Sequence, residues 1–201
     1  MDNKLIYEFS SQKTDGDASL SNLLGGKGAN LAEMSKLGIQ VPPGFTITTE
    51  ACNYFSKNKK LPDGLKEEII NYVSNLESLS QKSFGNSESP LLLSVRSGGM
   101  ISMPGMMDSI LNIGLNDDNV QNLAKAFNDE RFALDSYRRL IQMYSNVVLG
   151  VEMDRFEAVI ANKKRMDHVT SDADFNVEQL EWIINAYKNT VERFTNSPFP
   201  Q

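Results

Sequence analysis

Between Asn116 and Ser197 the chain holds no proline and one glycine, Gly150, and its apolar residues recur every three or four positions. Such a stretch has few ways to turn and one efficient way to bury its apolar residues, as amphipathic helices packed on one another. Val120, Leu123 and Phe127 mark a first helix. Phe132, Leu134, Tyr137, Leu140, Ile141, Tyr144 and Val148 mark a longer one that Gly150 ends. Asp154 is the expected cap of a third, with Phe156, Val159 and Ile160 inward. After a polar stretch near 167–174, Val177, Leu180, Ile183, Ile184, Tyr187, Val191 and Phe194 form the stripe of a fourth, with Trp182 slightly off it. Residues 116–201 therefore read as a helical subdomain.

The first 115 residues are patterned differently. Leu5 to Phe9 reads as a strand, and Ser10 to Ser21 as a polar loop. Leu23-Leu24-Gly25-Gly26-Lys27-Gly28 then leads into a helix with Leu31, Met34 and Leu37 on its expected face and Gly38 as its stop. A glycine cluster with a lysine at a helix start suits an anion, through free N–H groups, the helix dipole and the ammonium. It is not a Walker A loop: Gly28 stands where Ser or Thr is needed, and Ser21 where a glycine is needed. A dinucleotide fingerprint fails at Leu31. As pattern alone, a tight turn with a solvated lysine explains it equally. Pro42-Pro43-Gly44 makes a turn, Phe45–Ile47 a strand, and Thr48 or Thr49 the cap of a helix reaching about Phe55. Asp63 is the expected cap of a helix with Leu65, Ile69, Val73, Leu76 and Leu79 on its face. Gly85 to Pro90 reads as a loop.

Leu91-Leu92-Leu93-Ser94-Val95 reads as a short buried strand delivering Arg96 into a Ser/Gly turn. A guanidinium keeps its charge, so at the mouth of a buried strand it calls for an anion or a carboxylate. The loop that follows carries Gly98, Gly99 and Gly105, Pro104, and Met100, Met103, Met106 and Met107. Glycine admits close backbone approach and methionine makes an adaptable apolar surface, which together suggest a cover over an anionic site. A strand, a surface ion pair and an irregular loop is the alternative. Asp108 to Leu115 reads as a second strand.

Composition narrows the function classes. With 201 residues, 40% of them hydrophobic, the chain can bury a core as one large domain or two small ones. A net charge of −6 argues against a general nucleic-acid or anionic-membrane surface. The lone Cys52 excludes an intramolecular disulfide and reads as a small buried residue on a helix. No run reaches membrane-spanning length, and the N-terminus lacks a signal-type apolar region, so a cytoplasmic protein is expected. His168, the only histidine, has no second histidine or nearby cysteine to complete a zinc set and reads as a surface residue.

Two blocks taken together resemble the nucleotide-binding region of the pyruvate, phosphate dikinase family: LLGGKGANLAEMSKLGIQVPPGFTITTEAC from Leu23, and LLSVRSGGMISMPGMMDSILNIGLN from Leu92. Ser102-Met103-Pro104-Gly105-Met106-Met107-Asp108 discriminates. Phosphoenolpyruvate synthases and glucan or water dikinases share the lysine and the Val-Arg-Ser strand end but not this run. RFALDSYRRLIQMYSNVVLGV also looks like the family. Gly99 and Ser109 depart from it, standing where alanine and threonine are expected.

The resemblance implies a mixed α/β (α+β) chain, part of an ATP-grasp-like domain, with an α/β portion over 1–115 and a helical subdomain over 116–201. It implies that Lys27 and Arg96 contact ATP phosphates and act in catalysis. Gly98, Gly99, Met103 and Gly105 would line the loop over the transferring phosphates. It further implies a reaction that turns ATP, phosphate and pyruvate into AMP, pyrophosphate and phosphoenolpyruvate through a phosphohistidine outside this chain. Magnesium ligands, the phosphohistidine domain and the pyruvate site are expected in the remainder of a longer, homo-oligomeric enzyme, and a fragment alone is expected to be inactive. His168 is not in the family's phosphohistidine setting. A stand-alone, non-catalytic interaction module is the alternative, with a phosphoenolpyruvate synthase fragment behind it.

Overall fold

The computed structural model describes residues 4–85, 88–98 and 109–201. These fall into two compact units that interleave along the chain: 4–81 with 96–98, and 82–85, 88–95 and 109–201.

The first unit is built on a two-stranded antiparallel ladder. β1 (Ile6–Phe9) pairs with β2 (Gly44–Ile47), Ile6 opposite Ile47 and Phe9 opposite Gly44. Between them runs α1 (Ser21–Lys36), preceded by a 3-10 turn at Ala18–Leu20 that Asp17 caps through the Ser19 N–H. α1 begins eight residues earlier along the chain than the expected start after Gly28, and it is broken at Gly25, whose φ of 68° and ψ of 163° are non-helical. Its inward face also differs from the expected one. Gly28, Ala29 and Ala32 are buried, Leu31 is half-buried, and Met34 and Leu37 are exposed. The reason is close approach: a Cβ on Gly28 would stand 2.7 Å from the side chain of Thr46 on β2. The Gly38 and Ile39 N–H groups close α1 on the carbonyls of Ser35 and Met34, the paired bonds of a Schellman ending.

α2 (Thr49–Asn58) is capped by Thr48, and it runs past Phe55 to Asn58. Ala51 faces the core there, while Cys52, one residue and about 100° further round the helix, is exposed rather than buried. α3 (Leu65–Ser80) starts behind Gly64, not Asp63, and makes no side-chain cap. Leu65 and Leu76 are buried, Ile69 and Val73 half-buried and Leu79 exposed. Ile6, Ala51 and Leu65, with Leu5, Phe45, Ile69 and Tyr72 against them, form this unit's small core.

The second unit begins with β3 (Ser83–Phe84), parallel to β4 (Pro90–Leu91). β5 (Leu93–Arg96) pairs with β6 (Ser109–Ile113). The expected buried strand is buried only at its start: Pro90 and Leu91 are covered, but Val95 is 52% exposed and Arg96 is exposed. A two-stranded ladder covers one face at best, so alternate side chains stay outside. Asp108, at the expected entrance of the second strand, lies outside the described residues. The helices are α4 (Val120–Phe127), α5 (Glu130–Val147), α6 (Met153–Asp167) and α7 (Val177–Thr195).

α5 is the centre of this unit. Ala133, Leu134, Tyr137, Leu140 and Ile141 are buried on it, and Leu180, Ile183, Ile184, Tyr187 and Val191 on α7. Phe156 of α6 meets Tyr187 edge-on at 4.8 Å between ring centres, a favoured aromatic geometry. Phe127, Phe132 and Phe194 sit at the ends of their stripes and are exposed. Asp154 does not cap α6, because the helix already begins at Met153; Asp154 lies inside its first turn. α7 carries a capping box that the apolar pattern did not reveal, with Asn176 and Gln179 bonding each other's backbone N–H. Arg138, almost fully buried, donates to Asp135 at 2.7 Å and to Gln142 at 3.3 Å. Burial opposes its charge, but Asp135 holds its pKa above the ordinary arginine value.

Candidate functional site

The site is built on the break in α1. A φ of 68° with ψ of 163° is backbone that only glycine adopts readily, so Gly25 lets one short helical segment end and a second begin at Gly26-Lys27-Gly28. The sequence placed the glycine cluster before the helix; the structure puts Gly26, Lys27 and Gly28 in the first turn after a mid-helix break. That keeps the N-terminal position of Lys27 and its favourable dipole.

Three contacts fix the break, and the bonds of Thr48 fix the neighbouring start of α2. Leu24, just before it, is buried and packs so closely on Gly16 that a Cβ there would come within 2.6 Å. Gly28, just after it, lies against Thr46. The Thr49 hydroxyl donates to the Asn22 carbonyl at 2.8 Å. Thr48, fully buried, accepts the Ala51 N–H and gives its own N–H to Leu5 O at 3.0 Å, which anchors α2 to the strand edge. Sequence reasoning left Thr48 and Thr49 as alternative caps. Thr48 is the cap, and Thr49 reaches across to α1.

The second motif arrives at the same place. Lys27 Nζ donates to the Ser97 carbonyl at 3.3 Å. A Cβ on Gly98 would lie 3.9 Å from the Leu24 carbonyl. Residues 96–98 and the α1 break thus belong to one unit, 70 positions apart in the chain. Arg96 is exposed, and among the described residues no carboxylate lies within ion-pair distance of Lys27 or Arg96. Ammonium keeps three donors, so the Ser97 bond leaves Lys27 two for a ligand. Gly99, Met103 and Gly105, expected in the covering loop, lie outside the described residues.

Asp17 binds Lys36 at 2.9 Å and accepts from Ser19, and those hydrogen bonds, Ser19 first, hold its pKa down at about 2. Among the described residues no group of three or more His, Cys, Asp and Glu side chains is placed to hold a metal ion. The Lys27 ammonium beside the break repels a cation, and with no such acidic group among the described residues the site does not fit magnesium. His168 ends α6 in a left-handed conformation and is exposed. No helix among the described residues is long and apolar enough to cross a membrane.

The chain is similar to known proteins. Residues 21–84 match the family described as "Pyruvate phosphate dikinase, AMP/ATP-binding domain". The chain is 47% identical over 202 residues to a pyruvate, phosphate dikinase of Rhizobium meliloti, covering 98% of the chain and 22% of that protein. It is 46% identical over 200 residues to the one of Clostridium symbiosum, again 98% and 22%. The dikinase of Entamoeba histolytica is 46% identical over 196 residues, 97% of the chain and 22% of that protein. The chain therefore spans about a fifth of the length of these relatives.

Proposed function

We propose that this chain, which belongs to the pyruvate, phosphate dikinase family over the stretch it spans, forms one wall of an ATP site. Lys27 and Arg96 are the residues that bind ATP phosphates and stabilise the charge shifting between them, and Gly98, Gly99, Met103 and Gly105 line the loop over them. The observation that carries the reading is the Lys27–Ser97 hydrogen bond at 3.3 Å. It joins the glycine cluster to the arginine strand end, and among the described residues neither Lys27 nor Arg96 has a carboxylate within ion-pair distance.

Phosphoryl transfer asks a protein mainly for positioning and charge neutralisation. Lys27 supplies a compact charge with rotatable donors, and Arg96 a planar fork that matches two phosphate oxygens. The reaction proposed for the protein carrying this chain is that of its relatives' name. ATP, phosphate and pyruvate give AMP, pyrophosphate and phosphoenolpyruvate, with the phosphoryl group carried by a histidine outside residues 1–201. Magnesium, when bound, would neutralise phosphate charge from ligands outside these residues. In this reading 1–115 is the α/β portion of the ATP-binding domain and 116–201 its helical subdomain. The remainder of a dikinase is its partner, the enzyme is a homo-oligomer, and it works in the cytoplasm.

The test is AMP formation from ATP and phosphate in the native protein that carries this chain. Lys27→Ala and Arg96→Ala should each lower it by about 10- to 100-fold, the scale of losing a charged transition-state contact. Near-normal AMP formation in both variants would overturn the assignment.

A further inference from the structure

We infer that Thr49 is a positioning residue of the phosphate site: its hydroxyl holds the Asn22 carbonyl and so keeps the Gly26 N–H turned out of the helix. The inference rests on the ATP-site reading above and adds a residue that neither the motifs nor the matched family name assigns.

The reasoning starts from the backbone of α1. In an unbroken helix the Asn22 carbonyl would accept the N–H of Gly26, four residues on. The direction of that N–H is set by ψ of Gly25. The observed ψ is 163°, whereas a helix has about −42°. The peptide plane between Gly25 and Gly26 is therefore turned by nearly half a revolution, and the Gly26 N–H no longer faces Asn22. Two groups lose their ordinary partners at one stroke, a carbonyl and an N–H.

The carbonyl finds another donor. Thr49 Oγ1 gives it a hydrogen bond at 2.8 Å, across 27 residues of chain. Thr49 is free to do so because its neighbour does the capping: Thr48 Oγ1 accepts the Ala51 N–H, and Thr48 is fully buried. The two threonines divide the work, one starting α2 and the other substituting for a helical donor in α1. The Gly26 N–H then points away from its own helix beside Lys27, whose Nζ is engaged by Ser97 O. A backbone donor and an ammonium on adjacent residues suit a phosphate oxygen. A Cβ on Gly26 would meet no heavy atom within 4 Å, so space remains on that side for a ligand.

The energetic logic is a competition. With the hydroxyl present, the Asn22 carbonyl is satisfied in the broken form. Without it, restoring the Gly26 N–H to that carbonyl becomes the better way to satisfy both groups. The hydroxyl thus biases the segment toward the form that presents an N–H to phosphate.

The experiment compares Thr49→Val, Thr49→Ser and Lys27→Ala in this chain, with ATP as the probe and amide hydrogen exchange of Gly26 measured without it. Thr49→Val should slow Gly26 exchange and weaken ATP binding by about three- to tenfold, the scale of one net hydrogen bond. Thr49→Ser, which keeps the hydroxyl, should restore both. A general loss of packing would not be rescued in this selective way. If Thr49→Val leaves Gly26 exchange and ATP affinity at the wild-type level while Lys27→Ala loses affinity, the role of Thr49 is overturned and the ATP site stands. If Lys27→Ala has no effect, the ATP-site reading falls, and unchanged Gly26 exchange in Thr49→Val would overturn the positioning role as well.

Discussion

Gly26→Ala and Gly28→Ala, two residues apart in one helix turn, should change stability in opposite directions. Replacing a helical glycine by alanine gains up to about 1 kcal/mol from the smaller loss of backbone freedom. At Gly26 nothing opposes this gain, since the new methyl meets no heavy atom within 4 Å. At Gly28 the methyl would stand 2.7 Å from both Cγ2 and Oγ1 of Thr46, and 3.2 Å from its Cβ. Thr46 is β-branched and sits in β2 opposite Tyr7, so it has little freedom to turn aside. Overpacking of this kind costs about 1–3 kcal/mol. The propensity gain is common to both variants and cancels in their difference. Gly28→Ala should therefore be less stable than Gly26→Ala by about 1–3 kcal/mol, measured as urea midpoints at equal slope. Adding Thr46→Ala to Gly28→Ala should recover most of the loss. Two variants equal within about 0.5 kcal/mol, the usual spread of neutral surface changes, would refute the close approach of α1 to β2.

Three further outcomes follow from the same structure. Gly25→Ala places a Cβ on a backbone with φ of 68° and ψ of 163°, and should destabilise by about 1–3 kcal/mol; a neutral result in chemical denaturation would mean the break is not maintained in solution. Arg138→Met removes a buried cation from Asp135, which keeps Arg139 at 2.9 Å; the loss should fall at or just below the low end of the 3–5 kcal/mol range for a broken buried pair, about 2–3 kcal/mol, and under 1 kcal/mol would contradict it. Asp17 has its pKa lowered to about 2. A depressed carboxyl binds fewer protons folded than unfolded, so its contribution is present above about pH 4 and is lost as pH falls toward 2. A carboxyl NMR titration of Asp17 with a midpoint at the ordinary value near 3.9 would contradict the Ser19 and Lys36 bonds.

Much of the fold was legible because periodicity is a direct consequence of burial. The stripe through Leu180, Ile183, Ile184, Tyr187 and Val191 named the buried face of α7 residue by residue. The stripe through Leu31, Met34 and Leu37 failed for a reason that no hydrophobic scale contains. α1 packs through its smallest residues, because β2 comes too near for large ones at Gly28. The cap of α2 was legible to within two adjacent threonines, Thr48 and Thr49, whereas Asp63 and Asp154 misled, because the true caps are Gly64, one residue later, and Glu152, two residues earlier. The Asn176–Gln179 box was written in the sequence as an Asn and a Gln three positions apart, on either side of Val177.

The sequence by itself determined the helical character of 116–201, the strand–helix alternation before it, and the resemblance to the dikinase family, since motif residues in two long blocks need no coordinates to be recognised. Tertiary structure alone decided which of those segments share a unit. β5 and β6 join the helices, whereas residues 96–98 return to α1. It also decided that α1 breaks at Gly25 and that the Thr49 hydroxyl donates to the Asn22 carbonyl. The physical reason is range. Periodicity and capping act within a few residues and leave a mark in the order of the chain. A hydrogen bond across 27 residues or 70 is chosen by where the folded backbone brings its donors and acceptors together.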